Sequence, residues 1–479
     1  GCTSSEMVFA VMPPSICWWH VGAIFPQPVF SLTGIAAFLF KRDIQTMKIA
    51  VIGSGISGLS AAWQLARSGH EVSLYEAGDY FGGHTNTVDI TVEGKTFGVD
   101  TGFLVFNHRT YPNLVRLFDD IKVDTSASDM SFSCKLPLSD QPGARTLEWA
   151  GANLDTVFAQ RRNLFNPRFL RMIRDILRFN RETTQMAQSG GAMDDMALGD
   201  FLVQNQYSME FRDWYLLPMA GCIWSCPTKQ MLAFPLATFV RFCHNHGLIQ
   251  VNDRPQWHTV TGGARHYVVE LLKEITNKYL NTAVKSVSRV DLGSVRQVKV
   301  DSTMGSLMYD HAVLACHSDQ SLAILSDAST EEKKILSAVG YQPNQAVLHT
   351  DASCLPARKK AWSAWNYESA GTQEPRVCVH YLLNMLQPLP CKTPVIVSLN
   401  PLSEPDPATV MGRFDYAHPI FDSAAIAAQQ ALPGIQGQRN IWFAGAWTGY
   451  GFHEDGLKSG LSVARAIEEQ AQLQLRRAA

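Results

Sequence analysis

The sequence has no long apolar run, no bias of charge and no paired-cysteine motif, and each absence closes off a class of protein. Its longest clean apolar run, Val29–Phe40, has twelve residues, whereas a membrane-spanning helix needs about 20. Lysine and arginine number 41 against 43 acidic residues, a net charge of −2, so no global field draws the chain to nucleic acid. No CxxC occurs: ten cysteines are scattered, with Cys222 and Cys226 four apart. Such usage fits a reducing compartment and free, buried thiols. Cys243, His244 and His246 lie close together, but no second half of a ligand set is near them, and no metal site is expected. There is no internal repeat, no low-complexity segment and no nucleic-acid motif. A chain of 479 residues, 46% apolar and 18% charged, reads as globular, with a large core and two domains.

The first 46 residues look foreign to such a fold. They are apolar but broken by Pro13, Pro14, Pro26 and Pro28. Lys41 and Arg42 follow the apolar run rather than precede it, the reverse of a secretory signal. Met47 stands directly before the first strand. We expect the fold to begin there, with 1–46 an extension outside it. A weak membrane anchor is the rival reading.

What is present begins with "KIAVIGSGISGLSAAWQLARSGHEVSLYEA", Lys48 to Ala77. Ile49–Ile52 is a short apolar run, as a buried parallel strand requires. Gly53, Gly55 and Gly58 follow at the GxGxxG spacing, with Ile56 and Ser57 between the last two. Leu59, Ala62, Trp63 and Ala66 recur at helical spacing, and Val72, Leu74 and Tyr75 lead a second strand to Glu76. The glycines serve a tight turn, close approach to a pyrophosphate and close helix–strand packing. The helix N-terminus offers unpaired N–H groups to the phosphates. Glu76, eighteen residues past Gly58, is placed to accept from a ribose and disfavours a 2′-phosphate. This is an α/β, Rossmann-like dinucleotide site. The fingerprint alone does not separate FAD from NAD.

The rest of the chain separates them. Gly82-Gly83, followed by His84, makes a second flexible corner soon after the acid. Asp100-Thr101-Gly102 runs a strand end into a turn. An NAD-only domain needs neither, whereas an extended FAD needs its ring cradled away from the pyrophosphate. Near the far end, "NIWFAGAWTGYGFHEDGLKSGLSVARAIEEQ" contains a strand (Ile441–Phe443), a turn at Gly445, then Asp455, Gly456 and a helix expected over Leu457–Glu468.

These motifs, with "TVTGGARHYV" at 259–268, resemble in their order the FAD-dependent amine oxidase superfamily, which includes the carotenoid desaturases. The resemblance runs from Met47 to about residue 470. It implies a two-part Rossmann-like FAD-binding domain with an inserted α+β substrate domain. The expected parts are 47–115, 256–340 and 431–479 for FAD, a helical substrate part at 116–255 and a sheet part at 341–430. It also implies that backbone near Val284 meets the adenine and that Ala77 and Leu457 lie against the cofactor. "GCIWSCPTKQMLAFPLATFVRFCHNHGLI", "RPQWHTVTGGARHYV" and "GYGFHEDGLKSG" look like a bacterial branch similar to the oxidase region fused ahead of plant cyclopropane fatty-acid synthases. That narrower likeness implies an acyl-lipid substrate and a cyclopropane-synthase-like methyltransferase as partner. Two positions depart from the pattern: His84 stands where arginine is frequent, and Ala446 where glutamate is frequent. Monoamine oxidases tether FAD through a cysteine in the last region; none follows Cys391 here, so non-covalent FAD is expected.

One feature points to lipid independently. "NPRFLRMIRDILRFNR", Asn166–Arg181, opens with a good helix start. Phe169, Leu170, Ile173, Ile176 and Leu177 fall within an arc of roughly 120°, with arginines opposite. Such a helix suits an anionic membrane surface, giving a cytoplasmic protein peripheral to the inner face; a solvated face over a core stripe is the plainer reading. Gly190-Gly191 reads as a loop, Met219–Leu236 as an apolar wall, and Val284–Ala315 as a meander of strands ending at His317. Trp362, Trp365 and Tyr367 gather in a later strand region, where packing is the commoner role for any one of them.

The cofactor implies the chemistry, hydride transfer from a C–H bond to flavin N5 with solvent kept out. Phe452, His453, Glu454 and Asp455 are expected in a loop against the ring, with His453 or His317 as candidates to move a proton. Three readings stay open: oxidation or desaturation of a methyl-branched acyl chain, oxidation of a small amine, or a flavin-bearing accessory to a methyltransferase that turns over nothing alone.

Overall fold

Ile49, Ala50 and Val51 are fully buried, which requires neighbours on both faces and both edges of their strand. The computed structural model, which describes residues 46–139, 145–189, 196–224, 228–249, 255–293, 295–371 and 377–478, supplies them. The strand Lys48–Ile52 (β1) pairs in parallel with Glu71–Tyr75 (β2) on one side and His311–Leu314 on the other. Asn277–Tyr279 extends the sheet beyond β2, and Ile441–Phe443 extends it beyond His311–Leu314, also in parallel. Five strands from three distant parts of the chain thus share one sheet. The helix Ile56–Arg67 (α1) covers one face, crossed by the long C-terminal helix His453–Ala478. The crossing is close: a Cβ at Gly460 would collide with the Ser57 carbonyl.

A second, seven-stranded sheet has the order Val410–Ile420, Gly340–His349, Ile396–Leu399, Cys378–Leu382, Trp365–Glu368, Phe132–Pro137, Thr146–Ala150. Beside it lies a helical region with its own core, which includes Phe179, Phe211, Phe239 and Phe242. The segment 116–255 is therefore not purely helical: it contributes two strands to the sheet built mainly from 340–420.

Four expectations need correction or a limit. First, only three strands of 284–315 form the antiparallel meander; His311–Leu314 leaves it for the parallel sheet. Its four side chains are all buried, the pattern of a strand covered on both faces. Second, the last helix begins at His453 rather than Leu457 and runs on to Ala478. Glu454 and Asp455 in its first turn suit the positive end of the helix dipole, so residues expected in a loop are helical. Third, the helix at Asn166 spans Pro167–Ser189, and Phe169, Met172, Asp175, Phe179, Asn180 and Thr183 are buried on it. Leu170 and Leu177 are 43% and 56% exposed. The inner stripe passes through Asp175, whose carboxylate accepts the Ser208 N–H at 3.0 Å; a search for apolar residues alone misplaces that stripe. Fourth, residues 1–45, Gly190-Gly191 and Cys226 lie outside the described residues.

Candidate active site

The turn after β1 is built for a close ligand. Gly53 has φ of +101°, and a Cβ there would come within 2.8 Å of the Ala315 carbonyl oxygen. Gly82 and Gly83 also have positive φ, +131° and +59°, and a Cβ on Gly83 would press on the Gly55 Cα at 3.1 Å. Two glycine corners therefore meet over the N-terminus of α1. Glu76, at the end of β2, accepts from the Ser54 N–H at 3.1 Å and the Gly78 N–H at 2.8 Å. Its backbone carbonyl accepts the Thr282 N–H at 2.7 Å, which brings Val284 alongside.

These groups line one end of a single cavity of about 600 Å³. Gly53, Gly55, Ile56, Ser57, Glu76, Ala77, Gly82, Gly83, His84, Thr101, Gly102, Val284 and Gly445 all lie on its wall. So do His317, Phe452 and His453. The remaining candidates turn elsewhere. Gly58 packs under the Gly53 turn, where a Cβ would collide with the Gly53 carbonyl. Asp100 is buried away from the cavity, accepting the Ala264 N–H at 2.9 Å and Gln387 Nε2 at 2.9 Å. Burial pushes its carboxyl up to about 6. Glu454 caps the helix Pro112–Ile121, accepting the Asn113 and Leu114 N–H groups at 2.9 and 3.0 Å. Asp455 accepts the Tyr450 and Phe452 N–H groups, each at 3.0 Å, and so fixes the loop rather than a ligand. Gly456 and Leu457 lie in the C-terminal helix, and a Cβ on Gly456 would meet Ile56 Cγ2 at 2.8 Å. These six act through packing and loop geometry.

Past the glycines the wall becomes aromatic and imidazole-rich. His84 stacks on Tyr416 with centroids 4.8 Å apart and lies 5.2 Å from His418. Burial, with the other histidines, holds His84 well below its ordinary pKa. His84 Nε2 is buried with no hydrogen-bond partner, a polar atom that a ligand would satisfy. His317 stacks on Tyr341 at 4.3 Å, and burial lowers its pKa as well. His453 is sandwiched between Phe103, 3.8 Å away, and a hydrogen bond of 2.7 Å from Nε2 to the Tyr267 hydroxyl. That hydroxyl bonds in turn to Thr85 Oγ1. Burial lowers His453 to about 3, so its ring is neutral at ordinary pH.

Beyond His453 the cavity ends among Met130, Ile223, Phe242, Leu248, Trp365 and Tyr381. Phe452 stacks on Phe242 at 4.8 Å, and Trp365 meets Tyr381 edge-on at 5.0 Å. Among the described residues, Glu76 is the one Asp, Glu, Lys or Arg side chain on the wall, and it sits at the glycine end. In the cysteine–histidine run, His246 Nδ1 bonds the Phe242 carbonyl at 3.0 Å, and Cys243 is buried in the helical core. Among the described residues, Glu368, Cys378 and His380 do gather. Both His380 nitrogens are engaged, with Glu368 at 3.0 Å and Ser398 at 2.6 Å, and Lys135 holds the other Glu368 oxygen at 2.8 Å. This is a closed polar network.

The reading from sequence did not find Thr85, Tyr267, Phe103, Tyr416 or His418. A period-2 signal was present for the last two, since Phe414, Tyr416 and His418 alternate along one strand. Tyr267 and His453 are 186 residues apart, and no local pattern links them.

An extended dinucleotide fits this wall, which offers glycine-lined turns, a carboxylate beside them, an unpartnered imidazole further along and aromatic side chains beyond. The fold is the one that amine oxidase-like FAD enzymes share. Residues 51–121 match the family model of NAD(P)-binding Rossmann-like domains. A 1-hydroxycarotenoid 3,4-desaturase of Flavobacterium is 32% identical over 87 residues, 18% of this chain and 17% of that protein; the chain thus spans about a sixth of the curated relatives it matches. Among solved structures, cyclohexylamine oxidase of Brevibacterium oxydans covers 89% of this chain and 100% of its own, at TM-score 0.62 and 17% identity. A conjugated-linoleic-acid-producing fatty acid isomerase of P. acnes covers 88% and 98%, at TM-score 0.59 and 14% identity. At such identities the shared property is the fold.

Proposed function

We propose that the chain is an FAD-dependent oxidoreductase that oxidises or desaturates a fatty acyl chain. The observation that carries this reading is the continuity of the cavity from a dinucleotide cradle to an apolar end with no Asp, Glu, Lys or Arg side chain among the described residues. An apolar end of that kind suits a hydrocarbon chain, and a cationic amine buried there would lack a counter-charge. The fatty acid isomerase fold is consistent with it.

Desaturation removes a hydride equivalent from one carbon and a proton from its neighbour. FAD, when bound, supplies the hydride acceptor. The chain's own residues do the rest. Gly53–Ser57 and the N-terminus of α1 would hold the pyrophosphate, Glu76 would hold the ribose, and Phe242, Phe452 and Trp365 would exclude water. His453, held by Tyr267 and Phe103, is the residue we assign to move the proton; burial makes its ring a weak base, so it acts only in concert with loss of the hydride.

A second reading is oxidation of a small amine. The Trp365–Tyr381 pair offers π faces on which a cation can rest, and cyclohexylamine oxidase shares the fold. One experiment separates the readings. The full-length protein is purified with its flavin, and its anaerobic spectrum is followed with methyl-branched monounsaturated phospholipid, benzylamine and spermine. Bleaching by lipid alone supports the acyl reading, and bleaching by amines replaces it. Bleaching by neither, with turnover only when a cyclopropane-synthase-like methyltransferase is added, assigns the chain an accessory role.

A further inference from the structure

The helical region carries a surface that the cavity does not explain. Seven arginines lie between Arg161 and Arg181, against two acids, Asp155 and Asp175, over 152–181. Five of the fourteen exposed large hydrophobic side chains among the described residues lie in the same stretch: Leu154, Leu164, Phe165, Leu170 and Leu177. Phe165 is 88% exposed. Scattered single apolar residues are ordinary on a surface, but a cluster rimmed by charge is not.

The helix Pro167–Ser189 arranges these groups. At 100° per residue, Leu170, Arg174, Leu177 and Arg181 fall on one ridge about 60° wide. The turn Arg161–Phe165 leads into it and holds Leu164 and Phe165 outward. Lys360 reaches Asp155 at 2.9 Å, which adds the turn Lys359–Ala361 to the same neighbourhood. The partner acids lie beneath: the side chains of Asp175 and Glu210 are 0% and 7% exposed, while Arg168, Arg171 and Arg174, which pair with them, are 55%, 49% and 68% exposed. In these three pairs the negative charge is inside and the guanidinium groups are at the surface, while Asp155, 52% exposed, is shared by Arg161 and Lys360; the face presented to solvent is therefore cationic in excess, with apolar side chains interleaved.

We propose that this face docks the protein onto an anionic phospholipid bilayer. Apolar side chains at the headgroup boundary and arginines against anionic lipid are the two contributions that hold an interfacial helix. No described helix is long and apolar enough to cross the bilayer, so the contact is peripheral. The surface stands apart from the cavity, and its test requires no turnover.

The test is flotation of the full-length protein with phosphatidylglycerol–phosphatidylcholine vesicles or with phosphatidylcholine alone. We expect partition onto the anionic vesicles to be at least about tenfold stronger and to weaken with salt. The combined Leu164→Ser, Phe165→Ser and Leu177→Ser variant should keep its circular dichroism and flavin content and lose at least about tenfold in partition. Arg162→Glu with Arg181→Glu should lose a similar factor. Met304→Ser, 70% exposed on another element, should partition as the parent does. Equal partition onto neutral vesicles, no partition at all, or parent-like behaviour of both surface variants would overturn the proposal. So would a protein partner captured through the same residues without lipid.

Discussion

Glu76 holds the glycine turn through charge-assisted hydrogen bonds to the Ser54 N–H and hydroxyl, at 3.1 and 2.5 Å. Each such bond is worth about 1.5–3 kcal/mol, and tenfold in affinity is about 1.4 kcal/mol. Glu76→Ala should therefore weaken FAD binding at least about tenfold, read by titrating the apoprotein and following flavin fluorescence. Undiminished binding would mean that the acid does not face the ribose. His453 makes a separate prediction. A positioned general base contributes about 10²–10⁴-fold, and burial leaves His453 a weak one, so His453→Ala should slow anaerobic bleaching at the low end of that range, about 10²-fold, with flavin content unchanged. His453→Gln keeps a hydrogen bond to Tyr267 without the base; if it restores the rate, the ring only holds Tyr267 in place.

At the scale of elements, the tightest constraint is the crossing of α1 with the C-terminal helix. Gly460 faces the Ser57 carbonyl and Ser60 Oγ at a separation that leaves no room for a methyl group. Both helices are anchored to the parallel sheet, so neither moves freely. Overpacking of this kind costs about 1–3 kcal/mol; Gly460→Ala should lower the urea midpoint with an unchanged slope. The same elements mark what was legible in sequence. The β1–α1–β2 unit was readable because its periods of 2 and 3.6 and its glycine spacing are local. The Asp175 side of the long helix was not, because a buried acid there answers to Ser208 and Arg174 rather than to any apolar pattern. The first turn of the last helix was missed because Glu454 and Asp455 look like loop residues until their N-terminal position gives them a partner dipole and backbone N–H groups. The cradle was therefore legible and the Thr85–Tyr267–His453 chain was not: one is a short motif, the other joins three distant segments through tertiary packing.

The molecule as a whole carries many histidines that burial keeps uncharged, and this sets its response to acid. His84 is held well below its ordinary value, His246, His311, His349 and His418 are pushed down to about 4, and His453 to about 3. In the unfolded chain each titrates near about 6.5. Between about pH 6.5 and 4 the unfolded state binds protons that the folded state refuses, so stability falls as pH falls through that window. Asp100 and Asp455 act in the opposite direction. Burial raises both to about 6, so from about pH 4 to 6 the folded chain holds protons that the unfolded chain has released, and their contribution falls as pH rises. Each group fully in its window changes stability by at most about 1.4 kcal/mol per pH unit. Six histidines outweigh two carboxyls, and the net slope is positive. The urea midpoint of the apoprotein should therefore drop between about pH 7.5 and 5, and His418→Gln should make that drop shallower by removing one of the six. A midpoint that held steady or rose toward acid would mean that the imidazole cluster takes up protons while folded, and the wall beside the cradle would then be cationic rather than neutral when it meets its ligand.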